Sequence, residues 1–573
     1  MGRPALGALL LFVAACGGSG GEAAPVAAPG GGGPPAIEPF TGPPGARSFK
    51  SGPIQVTADG GTIWTANTDN DSVSRLRAAD RTVAEFQIPA PAEPTTLSVT
   101  GDGREVWVAC RASDCVHVLS GGSGAVLATI DLPWGSAPFG IALDPAGARA
   151  LVTLEGRGAV AEIDVATRSL RRVLEPVWRT PRGIAWTANG REAWLTHLLV
   201  EGGEHAKLTR LDASGPAVVV AGSVTAFAAD PRQSSRLQAP FAVAEGGYLT
   251  FRGHLAPHPD GTEMWLPTQY NNISEDRYTP DSTVQATVRR LRLSDFSLQN
   301  TTDGKVILSA LHVHEPTGNG AFLGPGWNAS ASGAVDLAFS ADGTTALVVC
   351  ENSNDLVVLP TDARNVRPAG ATPLEEIRVG DQPVGVAVSP VDGGVYVLNR
   401  LSRDVSVIDA GKRAEVARIG VTPATGEPFE AAFLRGAKLF HGATDPRASG
   451  NGKVACASCH IDAGVDGRSW AFHNLPGKAG PRTTPDLRTL GRTFGPRDPV
   501  SGLGRLHASG DRDEVQDFDA WQFFILEVLP GCETLELMQT AFQDRFDRLL
   551  TQEELDEFLG SLVDRKMLNE SAA

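Results

Sequence analysis

A repeated unit fills the middle of this 573-residue chain. Each copy has an apolar strand that opens with a small residue, a turn, a second strand with a bulky apolar anchor, and a third strand. The anchors are Trp64, Trp107, Leu151, Trp194, Trp265, Leu347 and Tyr396. The first four anchors are separated by 43 or 44 residues. A period of roughly 40–45 residues with short strands is typical of a propeller blade, so seven anchors predict an all-β, seven-bladed β-propeller over residues 51–421.

The repeat units resemble the YVTN family of β-propeller repeats. Residues 396–399 (YVLN) and 64–67 (WTAN) are close variants of the motif, and residues 405–409 (VSVID) match its third strand. The resemblance implies the fold, whereas propellers as a class host many unrelated activities.

Four insertions interrupt the repeat, at residues 198–206, 222–253, 269–282 and 307–333. Strands within a blade run alternately up and down, so turns between second and third strands share one face with the links between blades. We call this the upper face, and by the repeat register all four insertions fall on it. We therefore expect the upper face to receive the C-terminal domain.

Several histidines are expected on the upper face. They are His197, His205, His312 and His314, each of which is either a hydrogen-bonding loop residue or a ligand. His254 replaces the small residue that opens an innermost strand, so it is expected near the mouth of the central channel.

The N-terminus reads as a targeting segment. An apolar run follows a short basic start, and residues 13–16 (VAAC) resemble a bacterial lipobox, in which Cys16 becomes the lipidated first residue after removal of residues 1–15. A plain secretory signal is the alternative. Residues 16–50 are rich in Gly, Ala and Pro and predict a flexible tether. Together these features predict a lipoprotein of the bacterial envelope that faces the periplasm or cell surface, with the lipid anchor as its only membrane contact. The residue after the lipidated cysteine is Gly17 and not Asp, which resembles lipoproteins of the outer membrane.

Two cysteines flank a short turn in the second blade. Cys110 and Cys115 align with Asn399 and Asp404, which close the corresponding hairpin of blade seven. This spacing predicts a disulfide, which an exported protein can form. Cys350 has no local partner, and its pairing with Cys532 is left open.

The C-terminal region carries the motif of most chemical interest, residues 456–460 (CASCH). C-x-x-C-H is the attachment signature of c-type haem, in which Cys456 and Cys459 form thioethers and His460 ligates the iron. A zinc or redox cysteine pair is the alternative, but zinc favours a second ligand pair at regular spacing. We therefore predict one covalent haem c in a small all-α cytochrome c domain over residues 422–570.

Residues 435–565 resemble the high-potential haem domain of bacterial di-haem cytochrome c peroxidases and of related propeller-fused cytochromes. The matching stretches are residues 435–440 (RGAKLF), 454–460 (VACASCH), 466–468 (DGR), 480–487 (GPRTTPDL), 506–510 (LHASG) and 550–562 (LTQEELDEFLGSL). Those peroxidases carry two C-x-x-C-H motifs, and this chain has one. The companion haem at which peroxide reacts is therefore missing. The resemblance implies a distal methionine ahead of the last helix, which points to Met538 as the sixth iron ligand, with His507, or an open or other site, as the alternatives.

The function predicted from these features is electron transfer by a mono-haem cytochrome, with the propeller as a docking or substrate scaffold. The partner would be a redox protein or a small electron donor or acceptor. The net charge of −16 argues against a nucleic-acid partner, because nucleic-acid binding needs a basic surface. The alternatives are a peroxidase-like or dehydrogenase oxidoreductase with a site on the upper face, and a surface binding module in which haem is structural.

The sixth-ligand prediction is tested by the visible spectrum of Met538→Ala beside wild type. We expect loss of the methionine–iron charge-transfer band, because the thioether sulfur is its source, while Met567→Ala keeps the band. An unchanged spectrum in Met538→Ala would remove this residue from the coordination sphere.

Overall fold

The computed structural model describes the propeller almost continuously and the C-terminal region in part. The described residues are 49–199, 206–225, 248–271, 284–297, 305–307, 331–362, 375–409, 411–421, 426–445, 449, 454–466, 469–470, 482–484, 504–507, 515–518, 539, 543, 550–552 and 554–558. By their internal contacts, the described residues up to Thr484 form one compact unit, and those from position 485 onward belong to a second unit.

Seven antiparallel sheets make up the propeller in the described part of the chain. Blades one and two contain β1 (Ile54–Val56), β2 (Thr62–Asn67), β3 (Ser72–Arg77), β4 (Val83–Gln87), β5 (Pro94–Val99), β6 (Glu105–Cys110), β7 (Cys115–Ser120) and β8 (Val126–Asp131). Blades three and four contain β9 (Pro138–Leu143), β10 (Arg149–Leu154), β11 (Ala159–Asp164), β12 (Ser169–Leu174), β13 (Pro181–Trp186), β14 (Glu192–His197), β15 (Lys207–Asp212) and β16 (Val219–Thr225).

Blade five contains β17 (Tyr248–Thr250), β18 (Ala256–Pro257), β19 (Glu263–Asn271), β20 (Val284–Arg292) and β21 (Lys305–Ile307). Its innermost strand is split, since β17 and β18 both pair with β19. Blades six and seven contain β22 (Ala334–Phe339), β23 (Thr345–Cys350), β24 (Asp355–Pro360), β25 (Glu375–Arg378), β26 (Pro383–Val388), β27 (Val395–Asn399), β28 (Asp404–Asp409) and β29 (Ala414–Gly420). The seven-bladed prediction is confirmed.

The predicted anchors all lie in the second strand of their blades, and none is more than 6% exposed. Seven apolar clusters fill the seven contacts between neighbouring blades, including the contact between blade seven and blade one. The strand order also confirms one of the insertions and shifts the start of two others. The insertion at 198–206 lies between β14 and β15, whereas the insertion predicted to start at 269 begins only after β19 ends at Asn271. The link to blade five likewise begins after β16 ends at Thr225 and not at residue 222.

The innermost strands approach one another closely around the central axis. A Cβ on Gly140 would lie 2.2 Å from the Arg182 carbonyl oxygen, and one on Gly183 would lie 2.5 Å from the Gly253 carbonyl oxygen. Any larger side chain at these positions would push neighbouring blades apart. The glycines at the start of the inner strands of blades three and four are therefore required by this approach.

The chain itself fills the central channel before entering blade one. Ser51 N donates to Ile184 O at 2.7 Å, and Trp186 N donates to Phe49 O at 3.0 Å, so this segment runs antiparallel to β13. Lys50 Nζ forms an ion pair of 2.5 Å with the fully buried Asp336 of blade six. Phe49 and Lys50, which the sequence assigned to the tether, therefore belong to the propeller.

No strand is shared between blades one and seven, so side chains close the ring. Asp69, in the turn after β2, accepts hydrogen bonds from Arg400 at 2.6 Å and from Arg403, both in the β27–β28 turn. Arg403 also donates to Glu427 at 3.0 Å. Burial raises the pKa of Asp69, but the two guanidinium groups outweigh that effect and lower the pKa to about 2.

The C-terminal region contains helices α1 (Ala431–His441) and α2 (Cys456–Cys459) and two short hairpins. The hairpins are β30 (Ser469–Trp470) with β31 (Arg482–Thr483), and β32 (Gly504–His507) with β33 (Val515–Phe518). Residues 552 and 554–558 are also helical, and a capping box precedes them, in which Thr551 N donates to Glu554 Oε2 and Glu554 N donates to Thr551 Oγ1. The described residues therefore do not show the all-α domain that the sequence predicted.

Helices in the described part of the chain all fall short of the length and apolar character needed to cross a bilayer.

Replacement of Asp69 with Asn tests the closure of the ring. Because the folded pKa lies below the ordinary value of 3.8, the carboxylate stabilises the fold above that pH, and its contribution is lost as the pH falls from about 4 towards 2. We expect Asp69→Asn to lower the free energy of unfolding by about 2 kcal/mol at pH 7, with the difference from wild type shrinking below pH 4 in denaturant titrations.

The control for this variant is Glu175→Gln, which removes the half-exposed pair between Glu175 and Arg157. We expect a change of less than about 1 kcal/mol. If the difference in free energy of unfolding between wild type and Asp69→Asn were the same at pH 7 and pH 3, the proposed role of this carboxylate would be contradicted.

Candidate functional site

The C-x-x-C-H motif forms a single helical turn that belongs to the same compact unit as the propeller. Ala455 N donates to Ser458 Oγ at 3.0 Å, and His460 N donates to Cys456 O at 3.0 Å. Cys456 is exposed, and Cys459 and His460 are half-buried. Residues three positions apart in a helix share a face, so one turn presents both sulfurs on one side, with the imidazole directly after them.

Blade five holds the carbonyl end of this turn. Arg252, which is 4% exposed, donates to Ala457 O at 3.1 Å and to Ser458 O at 3.3 Å. Gln269 Nε2 donates to Ser458 O at 2.7 Å from the part of β19 that extends alongside β17. The last carbonyls of a helix have no partner within the helix. The two propeller side chains supply the missing donors and fix the orientation of the turn.

Blade six orients the arginine and contacts the turn itself. Glu351 accepts from Arg252 Nε at 3.1 Å and also binds its Nη2. Asn352 Oδ1 accepts from Ser458 Oγ at 3.4 Å, and Asn352 Nδ2 donates to His441 O at 2.8 Å, at the end of α1. The β23–β24 turn therefore positions both helices that precede His460.

A second buried cation anchors the residues that follow the motif. Arg182 binds the Asp462 carboxylate and forms an ion pair of 2.9 Å with Glu155, to which Arg111 adds a contact of 3.2 Å. The Arg182 guanidinium also lies 4.6 Å from the centre of the Phe139 ring. Burial raises the pKa of Asp462, but the charges of Arg182 and Arg111 outweigh it and hold the pKa well below its usual range.

These contacts place His441 and residues 454–462 on the upper face, over the mouth of the channel. The anchoring residues lie in strand-opening segments and in second-to-third turns, which share that face. The position expected for the C-terminal region is therefore confirmed for this segment.

Helix α1 leaves its apolar stripe uncovered. The helix lies beside α2, and none of its residues is buried. Phe433 is 40% exposed, and Gly436, Ala437 and Phe440 are half-exposed. This stripe of Phe433, Gly436, Ala437 and Phe440 does not pack into a core of the described residues.

The histidines predicted on the upper face have different roles. His197 is fully buried and uses both ring nitrogens, Nδ1 with Arg179 O and Nε2 with Thr209 Oγ1, each at 2.8 Å. Burial lowers its pKa to about 4, so it is a neutral structural residue. His254 lies in the channel, 2.9 Å from Ser51 Oγ, and burial followed by the charge of Lys50 lowers its pKa. His205, His312 and His314 lie outside the described residues.

Other predicted site residues remain predictions. Cys16, Met538 and Cys532 lie outside the described residues, and only the backbone of His507 is described, where it pairs with Val515. Cys110 and Cys115 face each other across the β6–β7 hairpin as free thiols. Cys350 is also a free, buried thiol.

Sequence reasoning missed Arg182 and Arg252, although a signal was present for Arg182. In blades three, four and seven, the residue before the glycine at the start of the inner strand is Phe139, Arg182 or Val384. The arginine of blade four thus stands at a position that is apolar in the other two blades, whereas Arg252 lies one residue earlier in the register of blade five.

Comparison with known proteins does not assign this chain to a family. No family model matches it, and no curated protein matches it. Among solved structures, it is similar to hydrazine synthase of Kuenenia stuttgartiensis, with 18% identity over 66% of this chain and 97% of that chain and a TM-score of 0.49. It is also similar to virginiamycin B lyase from Staphylococcus aureus, with 16% identity over 62% of this chain and 94% of that chain and a TM-score of 0.38. The propeller assignment rests on the strand pairing described above.

Arg252→Met tests whether blade five holds the C-x-x-C-H turn. Loss of the guanidinium leaves the buried Glu351 without its counter-charge and Ala457 O without the donor from blade five, so we expect the free energy of unfolding to fall by about 3–5 kcal/mol. Amide hydrogen exchange in a peptide covering residues 455–460 should become faster in the folded protein.

Arg210→Gln is the control, since it removes a peripheral pair with Glu192 in blade four. We expect it to leave exchange in residues 455–460 unchanged. Equal exchange rates for this peptide in Arg252→Met and wild type would contradict the proposed contact.

Proposed function

We propose that this protein is a mono-haem c-type cytochrome that transfers electrons, with the haem attached to Cys456 and Cys459 and ligated by His460. The observation that supports this proposal is that the whole motif lies in one turn whose carbonyl side is bound by Arg252 and Gln269. The exposed Cys456 lies on that turn, which leaves it accessible to a haem. An attachment site needs this combination of accessible thiols and a rigid backbone.

The residues present fit a covalently bound haem. Both thiols and the imidazole come from a single turn, and α1 beside it exposes an apolar stripe that includes Phe433 and Phe440. Burial, followed by the charge of Asp466, raises the pKa of the Cys459 thiol to about 12, so this sulfur is protonated at neutral pH. When bound, the haem supplies a reversible one-electron change at iron, whose potential depends on axial ligands and burial.

Two features favour an electron carrier over an oxidoreductase with a propeller site. The chain has one C-x-x-C-H motif, so a haem bound there has no companion haem of the same type. The channel, which in a propeller can admit a ligand, is filled by residues 49–53, with Lys50 paired to Asp336. The upper face then acts as a scaffold that holds the haem-bearing turn for a redox partner, and electron-transfer contacts of this kind are small and transient.

The proposed location is the bacterial envelope, with Cys16 as the lipid anchor. Residues 49–51 run antiparallel to β13, whose first residue lies at the upper face, so the chain enters the channel from the opposite face. A tether attached there would direct the C-x-x-C-H turn away from the membrane. This orientation suits exchange of electrons with a soluble or surface-bound partner.

Production in a bacterial host that is competent in cytochrome maturation tests the proposal. We expect one haem per chain, measured by the pyridine haemochrome spectrum and by intact mass. Cys456→Ala with Cys459→Ala should abolish covalent haem, because no thioether can form. Cys350→Ala is the matched control, since it removes a buried thiol outside the motif, and it should retain full haem content.

The visible spectrum tests the electron-carrier role separately from haem attachment. The wild-type spectrum should be low-spin and insensitive to cyanide or peroxide, because His460 together with a second protein ligand would leave the iron no open position. High-spin bands with ready ligand binding would favour the oxidoreductase alternative, and colourless protein without added mass would overturn the haem proposal.

A further inference from the structure

A cluster of sulfur and nitrogen ligands lies in the second blade, apart from the C-x-x-C-H turn. Cys110 at the end of β6 is paired in register with Cys115 at the start of β7, and His117 lies two residues further along the same face of β7. The three side chains are 0%, 3% and 3% exposed. They lie among the apolar residues that join blade two to blade one, which include Val73 and Ala92.

The spacing of the ligand atoms suits a single ion. The two Sγ atoms and a ring nitrogen of His117 lie within 4.8 Å of one another. Cys115 Sγ lies 3.5 Å from His117 Nε2. Metal–sulfur and metal–nitrogen bonds of about 2.3 and 2.0 Å place neighbouring ligand atoms roughly 3.5–4 Å apart. Small side-chain adjustments are therefore enough for all three atoms to reach one ion.

The histidine is already oriented as a ligand. Its Nδ1 lies 3.0 Å from Thr129 Oγ1 on β8. When Nδ1 donates its hydrogen to this hydroxyl, the Nε2 lone pair faces Cys115 Sγ. Metal-binding histidines commonly have their second ring nitrogen fixed by such a neighbour.

We propose that Cys110, Cys115 and His117, in the reduced protein, bind a thiophilic d10 cation, Zn²⁺ or Cu⁺. Each sulfur that binds releases its proton to solvent as the metal–sulfur bond forms. Two thiolates neutralise Zn²⁺, which suits a buried site, and a two-sulfur, one-nitrogen set satisfies Cu⁺ without a further ligand. The disulfide predicted from the sequence is the two-electron oxidised form of the same pair, and it excludes the ion.

The corresponding hairpins of other blades lack this ligand set. The aligned pairs are Cys350 with Asp355 in blade six and Asn399 with Asp404 in blade seven. The proposal is independent of haem attachment, because it uses none of the residues between 422 and 573.

Metal titration of the reduced full chain tests the site. Cys456→Ala with Cys459→Ala serves as the background, so that the C-x-x-C-H thiols cannot bind the probe. The protein is reduced with dithiothreitol, desalted without oxygen, and titrated with Zn²⁺ or with Cu⁺ against a chromophoric chelator. We expect one equivalent of one of the two ions to bind and to raise the melting temperature.

Three variants in that background separate the site from adventitious binding. Cys115→Ser should no longer bind one equivalent of the ion. Thr129→Val should lower the affinity for the ion about 10- to 100-fold, because the His117 imidazole is no longer oriented. Cys350→Ser, the control, should bind as the parent does. Equal binding by the parent and Cys115→Ser would overturn the proposal, as would a 110–115 disulfide that persists in the folded protein after dithiothreitol.

Discussion

The closed ring of seven sheets is the constraint on which the rest of this structure depends. Each sheet is built from consecutive strands, so no strand joins the last blade to the first. Closure relies on the apolar cluster that includes Ile63 and Tyr396, and on Asp69 held between Arg400 and Arg403. The channel segment adds a second link, since Lys50 is paired with Asp336, which itself accepts from Val386 N in blade seven. Segments that are far apart in the chain thus meet at the central axis and at the contact between blades seven and one.

The geometry of the ring concentrates chemistry on one face. Because the strands alternate in direction, the turns between second and third strands lie on the same face as the links between blades. Arg182, Arg252, Glu351 and Asn352 come from three blades and converge above the channel. The charged groups of Arg182, Arg252 and Glu351 are buried, and a buried ion is costly unless it is paired and hydrogen-bonded. Asp462 and the backbone of the C-x-x-C-H turn complete the pairing, so the propeller and this turn stabilise each other.

The two cysteine pairs of the described chain illustrate how environment separates similar residues. Cys456 and Cys459 lie on a helical turn with one sulfur exposed, whereas Cys110 and Cys115 are buried opposite each other in a hairpin. The first arrangement suits attachment of a large planar group. The second suits a small ion or a disulfide, because both sulfurs are buried in the apolar cluster between blades one and two.

Local patterns in the sequence predicted the elements of the propeller well. The anchors from Trp64 to Tyr396 lie in second strands, and helix α1 begins and ends close to its apolar stripe. These features depend on residues near one another in the chain, where periodicity and turn chemistry act directly. The assignment of Phe49 and Lys50 to the tether was wrong, because their partners, Trp186 and Asp336, are distant in sequence.

The sequence by itself determined that the chain repeats an up-and-down strand unit seven times and carries one C-x-x-C-H motif. Only the tertiary structure decided that the motif belongs to the propeller unit, that Arg252 and Arg182 hold it, and that His117 joins the Cys110–Cys115 pair. The physical reason is that periodicity reports which face a residue takes within its own strand. Convergence of buried charges and ligands depends on how separate blades meet around the axis, and no local pattern encodes that.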